Sequence, residues 1–150
     1  MAVELIANGV QTVKPGGVVL FDEVNSLNNS TVLHREGSGT ATLRPTSGCR
    51  CGMSGFKVCF GANIAFPTTP PAGETAATTP VSLAIAVNGE PDTSTEMIVT
   101  PAAADEFYNV SRAVMIPVLN SCCTPIAVEN TSNGTITVEN ASLIIEEVRR

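Results

Sequence analysis

The sequence predicts an all-β sandwich, and three observations carry that prediction. Short runs rich in Val, Ile and Thr recur along the chain with Gly, Pro and Asn between them, the signature of strands separated by turns. Within several runs apolar residues alternate with polar or small ones, the two-residue period of a strand with one buried face. No segment sustains a 3.6-residue period and no βαβ alternation occurs, so neither a helical bundle nor a parallel α/β sheet fits.

The elements follow in order. "VELI" (3–6) and "VQTV" (10–13) flank Asn8-Gly9, a strong tight-turn dipeptide. Residues 1–14 therefore read as a strand pair and as a candidate N-terminal arm. Pro15-Gly16-Gly17 breaks the chain before "VVLF" (18–21). "TVLH" (31–34) and "TATL" (40–43) enclose the polar stretch 35–39, which reads as a hairpin loop. In "FKVCF" (56–60), Phe56, Val58 and Phe60 alternate inward with Lys57 and Cys59 outward, and the run extends toward Ala65. Residues 67–80, with four prolines and five threonines, form the one long loop. Then come "VSLAIAV" (81–87), the Asn88-Gly89 turn, "EMIVT" (96–100) and "FYNVSRAVMIPVL" (107–119). "PAAADEF" (101–107) is the one candidate helical turn. "PIAVE" (125–129), "TITVE" (135–139) and "SLIIEEV" (142–148) close the chain. The total is about ten strands in a single domain spanning 1–150.

Composition bounds the function. Hydrophobic residues make up 43% and charged residues 15% of the chain, an ordered globular balance. Aromatics are 4% with no Trp, so Val, Ile, Leu, Ala and a few Phe must build the core. A net charge of −6 with only eight Lys plus Arg leaves no basic stripe for phosphate backbones, which argues against nucleic-acid binding. "MAVELIANGVQTV" lacks the basic and apolar regions of a signal peptide, and no run approaches the ~18 apolar residues of a membrane span. Synthesis in a cytoplasm is the expectation, with no membrane association.

No residue set stands out as catalytic, metal-binding or cofactor-binding. Cys49, Cys51, Cys59, Cys122 and Cys123 are odd in number; "CRC" is too tight for the usual C-x2-4-C zinc spacing, and free thiols are the leading reading, with a bridge formed after release into an oxidising medium the alternative. The sole histidine, His34, has Asp22, Asp92 and Asp105 as formal triad partners, yet no "GxSxG" or cysteine-centred motif accompanies it. Glu146-Glu147 reads as a solvated strand end. N-x-S/T sequons at Asn28, Asn29, Asn109, Asn130, Asn133 and Asn140 read as turn and strand-face residues.

One stretch does point to a surface. In "VSLAIAVNGEP", Val81, Leu83, Ile85 and Val87 face one way, while Ser82, Ala84 and Ala86 face the other. A face made only of Ser and Ala must lie against something, and small side chains suit close packing; cover by a loop of the same chain such as 67–80 is one reading. In "SLIIEEV", Leu143 and Ile145 take one side and Ile144 the other.

"ANGVQTVKPGGVVLF", "HREGSGTATLRP", "VSLAIAVNGEP", "CCTPIAVENTS" and "ITVENASLII" resemble small proteins encoded in phages and prophages of gut Firmicutes, a group regarded as virion structural proteins. "QTVKPGGVVLF" and the final Asn-rich strand pair are also similar to the trimeric jelly-roll domains of the tumour-necrosis-factor type, which cap collagen-like filaments on spore surfaces. Such a likeness, covering most of the chain, implies an antiparallel jelly-roll sandwich, a homotrimer and no catalytic set. Since the inner sheet of such trimers faces the threefold axis, it also implies a subunit interface at Ser82, Ala84 and Ala86, with Ile144 contributing. Without a Gly-X-Y stretch ahead of the domain, a free-standing virion protein is expected, decorating or stabilising a capsid as a head decoration or head fibre. Its partners would be the major capsid protein or another virion protein, with host-surface or mucus glycans further candidates. The competing expectation is a receptor- or glycan-binding module of a tail tip or spore surface.

Overall fold

The computed structural model describes residues 2–25, 31–46, 52–120 and 123–148. Two antiparallel sheets face each other. In the first, β10 (Tyr108–Leu119), β6 (Met53–Ala65), β12 (Ile136–Val148), β1 (Ala2–Ile6) and β3 (Glu23–Asn25) lie side by side, and β2 (Val10–Val13) also pairs with β12. In the second the order is β4 (Val32–His34), β5 (Ala41–Leu43), β11 (Thr124–Asn130), β7 (Val81–Val87) and β8 (Glu90–Pro91), with β9 (Met97–Val99) also on β7. The architecture is the expected antiparallel jelly roll.

Alternation builds the core. Phe56, Val58, Phe60 and Ile64 of β6, with Leu143 and Ile145 of β12, face Leu43, Leu83, Ile85, Ile126 and Val128 of the second sheet in one continuous apolar cluster. Phe21 and Phe56 are the largest fully buried side chains. Aliphatic residues supply nearly everything else, as the low aromatic content demands. Burial of each such side chain contributes roughly 1.5–3 kcal/mol.

Several elements depart from the sequence expectation. Residues 2–13 do not project as an arm: β1 lies between β12 and β3, and Val3, Leu5, Ala7 and Val13 are buried. Residues 18–21 form no continuous strand. Val18 makes one isolated bridge to Glu129, the Val19 N–H donates to the Val128 carbonyl, and the Gln11 side-chain amide clamps both backbone groups of Leu20 at 2.9 and 2.8 Å. Val19 and Phe21 still reach the core, which is why the run reads as a strand. Residues 101–107 contain no helix; among the described residues the one helical turn is the 3-10 turn Thr93–Thr95, which Asp92 caps by accepting from the Ser94 N–H.

The last two predicted strands are one. Pairing of β12 with β6 shifts between Glu139 and Ser142, where β12 carries one more residue than its partner, a β-bulge. Asn140 there adopts φ of 53°, a conformation Asn tolerates. Val138 faces the core before the bulge, and Leu143 and Ile145 face it after.

One buried polar side chain ties the ends together. Asn130, 1% exposed, donates from Nδ2 to the Val13 and Gly134 carbonyls at 2.9 Å each and accepts the Ser132 N–H at 2.8 Å. Its carboxamide is thus fully engaged, and this sequon is closed to modification. Asn130→Ala leaves those backbone groups without partners; the expected loss is about 2–4 kcal/mol, seen in a melting scan as a fall of roughly 4–16 °C.

Candidate interaction surface

The residues singled out from "VSLAIAV" and "SLIIEEV" do not form one patch. Ser82, Ala84 and Ala86 lie on β7 in the second sheet, and Ile144 lies on β12 in the first. Both sets point away from the core, so they occupy opposite sides of the sandwich. Ser82, Ala84 and Ala86 are 6%, 0% and 2% exposed within the single chain, and no surface is left there for a partner to cover. Their own chain closes the face. Ala84 sits opposite Glu129, and Ala86 opposite Ala127 and Pro91. The Ser82 backbone N–H donates to Ser132 Oγ at 2.8 Å, Ser82 Oγ meets Thr131 Oγ1 at 2.6 Å, and Thr131 donates to Glu96 at 3.2 Å. The long loop is elsewhere: Ala77 and Thr75 bond the Thr135 backbone, and Thr78 bonds Asn133.

The outward face of the first sheet is different. Cross-strand register sorts it into rows. Leu119 stands beside Met53; Pro117, Gly55 and Val148 form the next row; then Met115, Lys57 and Glu146; then Ala113, Cys59 and Ile144; then Ser111, Gly61 and Ser142. Met53, Met115, Leu119, Ile144 and Val148 are 55%, 53%, 58%, 41% and 42% exposed. Met115 lies over Gly55, where an added Cβ would meet its Cε at 3.1 Å. The small residues leave a shallow hollow of about 300 Å³ beside Cys59, Ser111 and Ala113. Its one opposed charge pair in register, Lys57 with Glu146, is of favourable sign. The row of Met115, Lys57 and Glu146 separates the apolar end, with Met53, Leu119, Pro117 and Val148, from Ile144, which has Glu4 on its other side. An exposed apolar patch of this kind is a candidate for interaction. Its signal was present in the sequence as the alternation of Gly55, Lys57, Cys59 and Gly61 with buried neighbours.

The remaining candidates resolve into structural roles. The two ring nitrogens of His34 face backbone carbonyls, Nδ1 toward Thr40 at 3.0 Å and Nε2 toward Phe21 at 3.2 Å, and the ring stands edge-on to Phe21. The three aspartates serve separate loops: Asp22 accepts from the Asn8 N–H, Asp92 from Ser94, and Asp105 from Thr68. Hydrogen bonds from the Ser94 hydroxyl and N–H hold the Asp92 carboxyl below the ordinary carboxylate range, with Arg112 adding to the effect. Asp92 and Thr95 border an apolar hollow of about 270 Å³ between β7 and β10, lined by Ile85, Val87 and Val114–Pro117. Glu147 is not a solvated strand end: it turns inward, is nearly buried, and accepts from the Thr46 N–H at 3.0 Å and hydroxyl at 2.6 Å. Cys59 is half-buried and Cys123 exposed, both as free thiols. Cys49, Cys51, Cys122, Asn28 and Asn29 lie outside the described residues. Among the described residues, no three His, Cys, Asp or Glu side chains gather as a metal site.

Sheet order and strand direction together define an antiparallel jelly-roll sandwich. Among solved structures, the chain is similar to the Eiger TNF of S. frugiperda, with a TM-score of 0.67, 10% identity, and 99% of this chain matched to 92% of that one. It is also similar to the globular domain of zebrafish complement 1qA, with a TM-score of 0.59, 12% identity, and coverage of 99% and 98%. At such identities the likeness is one of fold. No family model and no curated protein matches the sequence.

Two substitutions separate packing from surface. Ala84→Leu overfills a closed face and should cost about 1–3 kcal/mol in urea unfolding, without changing the oligomeric state. His34→Ala removes contacts to two carbonyls and should cost roughly 1–2 kcal/mol, measured the same way.

Proposed function

We propose that the chain is a non-enzymatic structural module that assembles as a homotrimer through the outward face of its first sheet. The observation carrying this reading is the apolar row pattern of that face, with Met53, Met115, Leu119 and Val148 gathered at one end and Gly, Ala, Ser and Cys residues where backbones must come close. Ile144 keeps its place in the interface; Ser82, Ala84 and Ala86 do not. The threefold arrangement rests on the sequence resemblance to trimeric jelly rolls. Binding, rather than a chemical step, is the activity: the surface offers buried area and shape, and the local hydrogen bonds of His34 and the aspartates leave no nucleophile–base–acid relay among them.

The finer reading is a virion protein, made in a host cytoplasm and carried on a phage capsid as a decoration or head fibre, with the major capsid protein as its partner. What motivates it is the resemblance of the sequence motifs to phage- and prophage-encoded proteins, and the net charge of −6 suits a particle surface that must stay soluble.

Native mass spectrometry at micromolar concentration tests the assembly. The expected species has three times the 15.5 kDa chain mass; a monomer overturns the proposal. Met115→Lys buries an unpaired charge in the interface and should weaken association by about a hundredfold, or roughly 2.7 kcal/mol, while leaving the unfolding midpoint of the separated chain almost unchanged. Immunogold labelling of phage particles tests the location: gold on heads is expected, and gold confined to tails transfers the module to adhesion.

A further inference from the structure

The chain holds three Asn-Gly dipeptides, at 8–9, 88–89 and 133–134, and the fold treats them unequally. Glycine after asparagine leaves its backbone nitrogen unshielded, because no Cβ stands beside it. Asn8 and Asn88 lie at exposed turns. Gly9 and Gly89 both adopt φ of 83°, and a Cβ built at either would meet nothing within 4 Å. The Asn8 N–H bonds Asp22 and the Asn88 N–H bonds the Pro125 carbonyl, but neither carboxamide is held by another group of the described residues.

Asn133 is the internal contrast. Its Oδ1 accepts the Thr78 N–H at 2.9 Å and its Nδ2 donates to Thr78 Oγ1 at 2.5 Å. Gly134 is buried, and a Cβ there would sit 2.6 Å from the Ala77 nitrogen. The carboxamide is held by two hydrogen bonds, and the Gly134 backbone is packed against that of Ala76 and Ala77.

We propose that Asn8 and Asn88 are sites of spontaneous modification in the folded protein, and that Asn133 is protected. The Gly nitrogen gives up its proton to a solvent base and attacks the Asn Cγ. A Cγ–N bond forms, the Cγ–Nδ2 bond breaks, and Nδ2 departs as ammonia with a proton from water. Water then opens the five-membered imide. Attack at Cγ gives aspartate; attack at the backbone carbonyl carbon gives isoaspartate, with the chain continuing through the side chain. The net reaction consumes one water and releases one ammonia, with no oxidant or cofactor. Each event adds one negative charge, and the isoaspartate form lengthens a tight turn by one backbone atom, at the β1–β2 connection or the β7–β8 hairpin.

The test uses the full chain held at mildly alkaline pH and body temperature, native in one arm and in denaturant in the other, with peptide mapping of all three sites over time. In the native arm, Asn8 and Asn88 should convert and Asn133 should lag by about thirtyfold, the factor that two ordinary hydrogen bonds supply. In denaturant the three rates should converge. Thr78→Ala, which removes one of the two bonds, should speed Asn133 about fivefold in the native arm. The proposal is overturned if native Asn133 keeps pace with Asn88, or if Asn8 and Asn88 stay intact in the native arm while the denatured chain reacts.

Discussion

The pairing of β6 with β12 is the constraint on which the rest depends. Both strands are thirteen residues long and both are flanked by strands on each side. With a two-residue side-chain period, placing Phe56, Val58 and Phe60 opposite Glu147, Ile145 and Leu143 on the inside leaves no choice about the outside. Lys57, Cys59, Glu146 and Ile144 must then face away. The core and the outward face are two consequences of one register, and neither can be altered without the other.

That coupling sets which small and large residues share the exposed side, with the Lys57–Glu146 pair among them. A strand face at the centre of a sheet has little room for long side chains if another body is to approach within the ~10 Å of packed sheets. Gly55, Gly61, Ala113 and Ser142 meet that condition, while the larger Met53, Met115 and Leu119 collect at the end of the sheet. The opposite side of the sandwich solves its own exposure differently. There Thr131, Ser132 and Glu96 fold in beside β7 with hydrogen bonds, and the small residues Ala84 and Ala86 are closed by chain neighbours.

Local pattern and tertiary placement explain what the sequence could and could not convey. β7 was readable to the residue, because "VSLAIAV" alternates between two turn signals. β6 and β10 were readable in type, since their apolar residues recur every second position. What the pattern could not convey is which sheet a strand joins. Small residues on β7 and small residues on β6 give the same local signal, and only the fold reveals that one set is covered by its own chain and the other is not. Residues 18–21 illustrate a second limit. Val19 and Phe21 bury as a strand would, but the backbone bonds that hold them go to Val128, Ser38 and the Gln11 side chain. Glu147 illustrates a third: an acid beside another acid near the chain end looks solvated until Thr46, 101 residues away in sequence, is seen to donate to it.

The bulge in β12 has a consequence for how such a surface is inherited. Odd-numbered residues point inward after Asn140, whereas even-numbered ones do so before it, so the strand changes parity at a single extra position. Losing that position would shift the reading frame of everything downstream without changing one side chain: Leu143 and Ile145 would become the outer wall, and Ile144 with its acidic neighbour Glu146 would be driven into the oil. Insertions and deletions at this corner are therefore not loop variation but an inside-out exchange. The character of the protein's outer surface is guarded there by count rather than by composition.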